Sequence, residues 1–151
     1  MPNLAASVRR GVTVALADTA ATSRVREDVV KLLKATGHFE WLDDESQMDT
    51  VTGLSGSGPA YVFYLVECLA RAGVDLGLNP EVAQRLARST IDGAGELLRK
   101  SVQSPDKLRR QVTSPEGATE AGLRILMDGR LQELTNATVQ AAAARSRTLA
   151  D

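Results

Sequence analysis

Hydroxyl groups and glycines, rather than histidines, cysteines or paired carboxylates, are what this sequence offers for chemistry. They fall in two strings, Thr52-Gly53-Leu54-Ser55-Gly56-Ser57-Gly58 and Thr113-Ser114-Pro115-Glu116-Gly117-Ala118-Thr119, each leading into an apolar segment. Glycine lets backbone approach a ligand closely, and the unpaired N–H groups of a starting helix attract anions. Two such turns brought together would form a pocket of backbone and hydroxyl donors suited to a small carboxylate. Hydroxyls are poor general acids near neutral pH, so the chemistry implied is hydrogen-bonding orientation of a substrate. Both strings also suit plain capped helix starts, and spacing alone favours that reading.

Composition removes most other chemistries. His38 is the sole histidine and Cys68 the sole cysteine, which argues against a multi-histidine metal site and rules out an internal disulfide. No metal is expected, and a reducing, cytoplasmic setting is the simplest one. His38 follows Gly37 in a helix-ending context and reads as a surface residue. Cys68, next to Leu69 and Ala70, reads as a small buried hydrophobe. A formal net charge of -1 gives no electrostatic reason to expect nucleic acid or a membrane as partner. The 151 residues, 43% of them hydrophobic, can bury one sizeable core, with a single domain as the default. The longest apolar run, Ala60 to Val66, is far too short to span a bilayer. Gly56-Ser57-Gly58-Pro59-Ala60-Tyr61 lacks the third glycine of a dinucleotide fingerprint, and no strand precedes it.

The elements that must position the two strings follow from periodicity and caps. Val12 to Ala17 is predicted as a strand, and Phe39 to Leu42 as a second. Between them a helix over Arg24 to Ala35 has Thr22 or Ser23 as cap, Gly37 as terminator and one face of Val25, Val29, Leu32 and Leu33. Strand, helix, strand is what the tail of a larger α/β domain looks like, with an orphaned sheet edge. From Glu45 onward the pattern is helical. A short helix through Met48 and Val51 stops at the first glycine string. The next, Pro59 to about Gly77 with Ser55 or Ser57 as cap, is apolar on nearly all sides and needs burial by a second subunit. Asn79-Pro80 starts another, whose Gly93 and Gly95 call for close helix contact. Ser104-Pro105 starts a short helix among Arg99, Lys100, Lys107, Arg109 and Arg110, charges that read as a solvated face. The last two helices run from Ala118 to about Met127 and from Leu131 to Leu149, separated by Gly129; Ala141, Ala142 and Ala144 let a neighbour come close.

Read together, these strings resemble the pyrroline-5-carboxylate reductase family over nearly the whole chain and in the right order. Met1-Pro2-Asn3 is similar to a turn late in that family's cofactor domain, and Thr52 to Tyr61 to the signature entering its C-terminal domain. Leu108 to Thr119, Leu-Arg-Arg-Gln-Val-Thr-Ser-Pro-Glu-Gly-Ala-Thr, resembles the family's Leu-Lys-Asp-x-Val-Thr-Ser-Pro-Gly-Gly-Thr/Ala-Thr segment. The resemblance implies a mainly α fold: a helical dimerisation bundle, 6-phosphogluconate dehydrogenase C-terminal-like, at 44–151, preceded at 1–43 by a strand-helix-strand remnant of a Rossmann α/β domain. It implies reduction of the C=N bond of 1-pyrroline-5-carboxylate to L-proline with NADPH or NADH, in a homodimer or an oligomer of dimers. Ser114, Gly117 and Ala118 would hold the substrate carboxylate, and Thr119, the catalytic residue, would hydrogen-bond the ring nitrogen. Asn3, Ser57 and Gly58 would line the nicotinamide side.

Three departures from that pattern matter. Glu116 stands where the family has glycine, Arg110 replaces an aspartate, and Leu4-Ala5 replaces Thr-Pro. The family's N-terminal Rossmann half has no counterpart among these residues, so a truncated chain inactive alone is expected. The competing expectation is a non-catalytic helical dimerisation module that pairs with itself or with a complete reductase.

Overall fold

The computed structural model describes residues 1–18 and 20–150. Two compact units are present: Met1–Tyr61 together with the last helix from Thr135 onward, and Val62–Leu134.

In the first unit, strand β1 (Gly11–Leu16), helix α1 (Ser23–Lys34) and strand β2 (Gly37–Leu42) form a parallel βαβ unit, registered Gly11 to Gly37 through Leu16 to Leu42. Parallel neighbours require such a crossover. Thr22, the cap named by the sequence, accepts from the Val25 N–H at 3.4 Å. Gly37 does not merely end α1: at φ 139° it opens β2, where a Cβ would lie 2.1 Å from the Gly11 carbonyl oxygen. His38 therefore sits in a strand, exposed, with Nε2 3.3 Å from the Glu40 carboxylate. Thr13, Val14 and Phe39 are buried, and Trp41 packs edge-on to Phe39 with the Arg26 guanidinium over its ring.

The outer edge of β1 is not orphaned as expected. Residues 1–3 pair with it: the Val14 N–H donates to the Met1 carbonyl at 3.0 Å and the Asn3 N–H to the Val12 carbonyl at 3.1 Å. A 3-10 turn, Leu4–Val8, then leads back into the strand.

The first glycine string is not the expected turn. A 3-10 turn at Glu45–Gln47 and helix α2 (Met48–Val51) run on into a π-helical step at Thr52–Gly56, and helix α3 (Gly58–Asp75) follows. Neither Ser55 nor Ser57 caps a new helix. The Ser55 hydroxyl donates back to the Val51 carbonyl at 3.1 Å, and Ser57, itself right-handed helical, donates its N–H to the Thr52 carbonyl at 2.9 Å. Hydroxyls bonding to the preceding turn satisfy a helix from within, which local composition alone does not distinguish from a loop. The wide π step presents Gly53 to helix α7 (Arg130–Ala150), where a Cβ on Gly53 would lie 2.6 Å from the Val139 carbonyl oxygen and 3.4 Å from the Ala143 Cβ. The close approach in α7 is thus at Ala143, between the alanines named from the sequence.

In the second unit, α3 continues to Asp75 and a left-handed Gly77 leads to Asn79, whose Oδ1 accepts from the Glu81 and Val82 N–H groups. Pro80 opens helix α4 (Pro80–Lys100) as predicted. The helices meet where Gly73 faces Ala83, and Ala83 and Ala87 are buried. Gly93 and Gly95, expected to mark close contact, have no atom within 4 Å of a built Cβ, so no neighbour within the described chain uses them. Helix α5 (Pro105–Gln111) follows, with the Ser104 hydroxyl donating to the Asp106 carboxylate rather than capping backbone. Arg99 and Lys100 pair with Glu96, as a solvated face would. Helix α6 (Ala118–Leu126) comes next, and Gly129, at φ 102°, precedes α7.

Much of the apolar helix α3 is uncovered in the single chain. Phe63 is 56% and Tyr64 67% exposed. Cys68 is exposed too, against expectation, because it lies on this same uncovered helix. Among the described residues no helix is long and apolar enough to cross a membrane.

The Gly53 contact gives a first prediction. Gly53→Ala should destabilise the chain by about 1–3 kcal/mol, since a backbone carbonyl in a packed helix cannot move aside for the methyl group. Urea unfolding followed by circular dichroism measures it; an unchanged midpoint would show that the π step and α7 are not packed as described.

Candidate functional site

The sequence-derived site residues fall in both units. Asn3, Ser57 and Gly58 belong to the first, and Ser114, Gly117, Ala118 and Thr119 to the second.

In the first unit Asn3 works as a latch. Its Oδ1 accepts from the Val12 N–H at 3.1 Å, and its Nδ2 donates to the Ser55 carbonyl at 3.0 Å. One side chain thereby ties β1 to the π-helical step across 52 residues of sequence. The Tyr61 hydroxyl donates to the Gly53 carbonyl at 3.0 Å and braces the same step from the α3 side. No sequence signal announced either bond, because neither partner is a local neighbour. Ser57 is half-buried and its hydroxyl makes no hydrogen bond among the described residues. A Cβ on Gly58 would meet nothing within 4 Å. A free hydroxyl beside an open glycine could accept a flat polar ring, while most of the amide of Asn3 is already spent.

In the second unit Thr113 to Thr119 is a true turn. The Gly117 N–H donates to the Ser114 carbonyl at 3.1 Å, and Gly117, extended at φ -84° and ψ 169°, precedes α6 without a side-chain cap. Ala118 and Thr119 thus occupy the first turn of α6, where N–H groups lack intrahelical partners. The Ser114 and Thr119 side chains are exposed, with no hydrogen bond among the described residues. This is a small set of unspent donors on one rigid turn.

Two carboxylates stand beside it. Glu116 has φ 59°, a left-handed conformation that L residues with a Cβ adopt at a cost of about 1–2 kcal/mol. That geometry gives a physical reason for glycine at this position in the resembling segment. The Glu116 N–H donates to the Glu120 carboxylate at 2.7 Å, so an anion from the chain's own helix already takes one donor of the turn. Among the described residues no cluster of metal-binding side chains occurs.

A βαβ unit whose edge strand is latched to an apolar helical segment, followed by helices with uncovered apolar faces, defines a helical dimerisation domain preceded by a remnant of a Rossmann α/β domain. Residues 45–149 match the family described as pyrroline-5-carboxylate reductase dimerisation, and the chain belongs to that family. It is 41% identical over 151 residues to the pyrroline-5-carboxylate reductase of Pseudomonas aeruginosa, covering 100% of this chain and 55% of that protein. Among solved structures, the Coxiella burnetii pyrroline-5-carboxylate reductase superposes with a TM-score of 0.94 at 37% identity, over 99% of this chain and 55% of that one. The Plasmodium falciparum pyrroline carboxylate reductase, solved with NADP bound, gives 0.83 at 31% identity, over 100% of this chain and 62% of that one. The chain spans about half the length of the curated relatives it matches.

The strained turn yields the second prediction. Glu116→Gly should raise stability by about 1 kcal/mol, relief of the left-handed strain outweighing the entropy of the added glycine. Chemical denaturation of both proteins tests this; a loss of stability would mean that the Glu116 side chain contributes a contact the turn needs.

Proposed function

We propose that this chain is the substrate-binding and dimerising part of a pyrroline-5-carboxylate reductase, which reduces the C=N bond of 1-pyrroline-5-carboxylate to L-proline, the last step of proline biosynthesis. The observation that carries the reading is the Ser114–Thr119 turn, whose two side-chain hydroxyls stand unspent at the start of a rigid helix. In this reading Ser114 and Ala118 supply donors to the substrate carboxylate, Gly117, whose N–H is turned to the Ser114 carbonyl, leaves room for it, and the Thr119 hydroxyl hydrogen-bonds the ring nitrogen. A bound nicotinamide, from NADPH or NADH, supplies the hydride. Ser57 and Gly58 fit its ring, with Asn3 holding the segment beneath them. No Gly-x-Gly-x-x-Gly string occurs in the 151 residues, and in this reading the residues that hold the pyrophosphate lie outside them. Turnover therefore requires a dinucleotide-binding half, and the division between the two parts falls after residue 43. The setting is cytoplasmic, and the partner of the apolar helices is a second copy of the chain.

Light scattering at micromolar concentration should give a dimer. A well-folded monomer would remove the explanation for the uncovered Phe63–Leu65 side of α3.

Thr119 is tested in a chain completed with the dinucleotide-binding half of the Pseudomonas aeruginosa relative. A donor that strengthens its hydrogen bond in the transition state is worth on the order of 2–4 kcal/mol, so Thr119→Ala should lower turnover roughly 30-fold or more. A threonine that only supports its helix start would instead lower stability by about 1 kcal/mol and leave turnover near normal. Melting temperature and turnover measured on the same variant separate the two, and the second pattern would defeat the assignment.

A further inference from the structure

An open cleft of about 380 Å³ lies where Arg109, Arg110 and Thr113, at the end of α5, face Glu120, Leu123, Arg124 and Met127. The last four recur at helical spacing and so share one face of α6 and its C-terminal extension. Three guanidinium groups thus meet a single lining carboxylate, and that carboxylate is already engaged. Glu120 accepts the Glu116 N–H at 2.7 Å and lies 3.8 Å from the Arg124 guanidinium. Arg110 pairs with Asp106 at the cleft's margin, and hydrogen bonding from Ser104, aided by the attraction of Arg110, holds the Asp106 carboxyl below its usual range. Arg109 has no ion pair or side-chain hydrogen bond among the described residues. Each guanidinium presents five N–H donors, so most donors here are unspent. The Thr113 hydroxyl donates to the Arg109 carbonyl at 2.7 Å and fixes the backbone that carries this free arginine.

We propose that this cleft binds a small phosphate monoester, its phosphoryl group held between Arg109 and Arg124 and its organic group laid on Leu123 and Met127. Among the lining side chains three guanidinium groups face one carboxylate, a positive surplus that selects an anion, although Asp106 beside Arg110 and Glu116 beside Glu120 reduce it. Phosphate offers three acceptor oxygens in a tetrahedral array that forked donors can grip from two helices, whereas a carboxylate offers one plane. The volume exceeds a bare phosphate and falls in the range of small-molecule sites, and the Leu123–Met127 strip gives an organic group apolar surface to cover. None of its residues is among those proposed to hold the imino acid or the nicotinamide, but Thr113 and Glu120 adjoin Ser114 and Thr119 in the chain, so the Thr119→Ala arm of the test separates the two readings.

Calorimetric titration of the intact chain at low salt with phenyl phosphate tests it, with inorganic phosphate and benzoate as companions. Phenyl phosphate should bind, and inorganic phosphate and benzoate each more weakly. Losing a charge-assisted pair weakens binding roughly tenfold or more, so Arg109→Gln and Arg124→Gln should each do so at unchanged melting temperature. Should either glutamine variant fail to fold, the corresponding lysine variant, which keeps the charge but loses the fork, should still bind more weakly than the parent. Thr119→Ala should bind phenyl phosphate as the parent does. Absence of binding up to roughly 10 mM, equal affinity for benzoate, indifference to the arginine substitutions, or loss on Thr119→Ala would each overturn the proposal.

Discussion

The constraint on which this structure depends is that the chain cannot cover its own apolar helices. Among the described residues the buried apolar positions are Val14, Phe39, Ala83, Ala87 and Ala143, three of them alanines, while Phe63, Leu65, Leu86 and Leu97 are roughly half exposed or more. Burying a leucine or phenylalanine side chain stabilises by about 1.5–3 kcal/mol. A helix such as α3 therefore leaves several such contributions unrealised in one copy, enough to decide whether a domain of this size stays folded. The same shortage explains where small residues occur. Gly53 against Ala143 and Gly73 against Ala83 bring backbones close without side-chain bulk, so near approach of helices adds to the small Val14–Phe39 core of the first unit and takes the place of large buried side chains in the second.

Within the first unit the polar groups do what the small core does not. Asn3 spends its amide on β1 and the π-helical step, Tyr61 spends its hydroxyl on the Gly53 carbonyl, and Thr52 and Ser55 bond to the turn before them. A π step costs a regular helix its ordinary bonding pattern and persists where other contacts hold it. Here those contacts come from the sheet edge, from α3 and from α7. The outcome is that Ser57 and Gly58 are carried by a braced segment rather than by a mobile loop, which a groove for a flat cofactor ring would require.

Local signals were legible in the sequence and distant ones were not. Thr22 and Asn79 act as the caps that their spacing implies, Pro80 and Pro105 open helices, β1 lies where β-branched content places a strand, and β2 contains the second candidate, Phe39 to Leu42. The first glycine string misled because glycine and serine are loop formers by composition, whereas here backbone bonding continues through a π-helical step and the Thr52 and Ser55 hydroxyls turn back onto preceding carbonyls. Covering of the β1 edge by residues 1–3, and the latch of Asn3 to Ser55, depend on the folded chain and leave no periodic trace. Cys68 was placed inside on the strength of its apolar neighbours, and those neighbours are themselves uncovered. The site strings could be recognised as strings, but the strain at Glu116 could not, since φ at one residue is set by the turn around it.

The charge around the second turn follows from these departures. A site for a carboxylate gains from positive partners and loses from like charge, and at an effective dielectric near 20 a unit charge about 8 Å away still contributes about 2 kcal/mol. Glu116 adds a negative side chain at the turn and Glu120 occupies one of its N–H groups, which together would weaken the hold on any anion placed there. Arg110, standing where the resembling segment has aspartate, moves the balance the other way by two charges, and Arg109 and Arg124 lie on the same side. The two unusual residues of the Leu108–Thr119 string are thus opposite in sign. The backbone donors of the turn keep their geometry while the compensating charge comes from long side chains of α5 and α6. Because exposed guanidinium groups are screened by salt, any anion held at this end of the chain would loosen with rising ionic strength more than one held by backbone and hydroxyl groups alone.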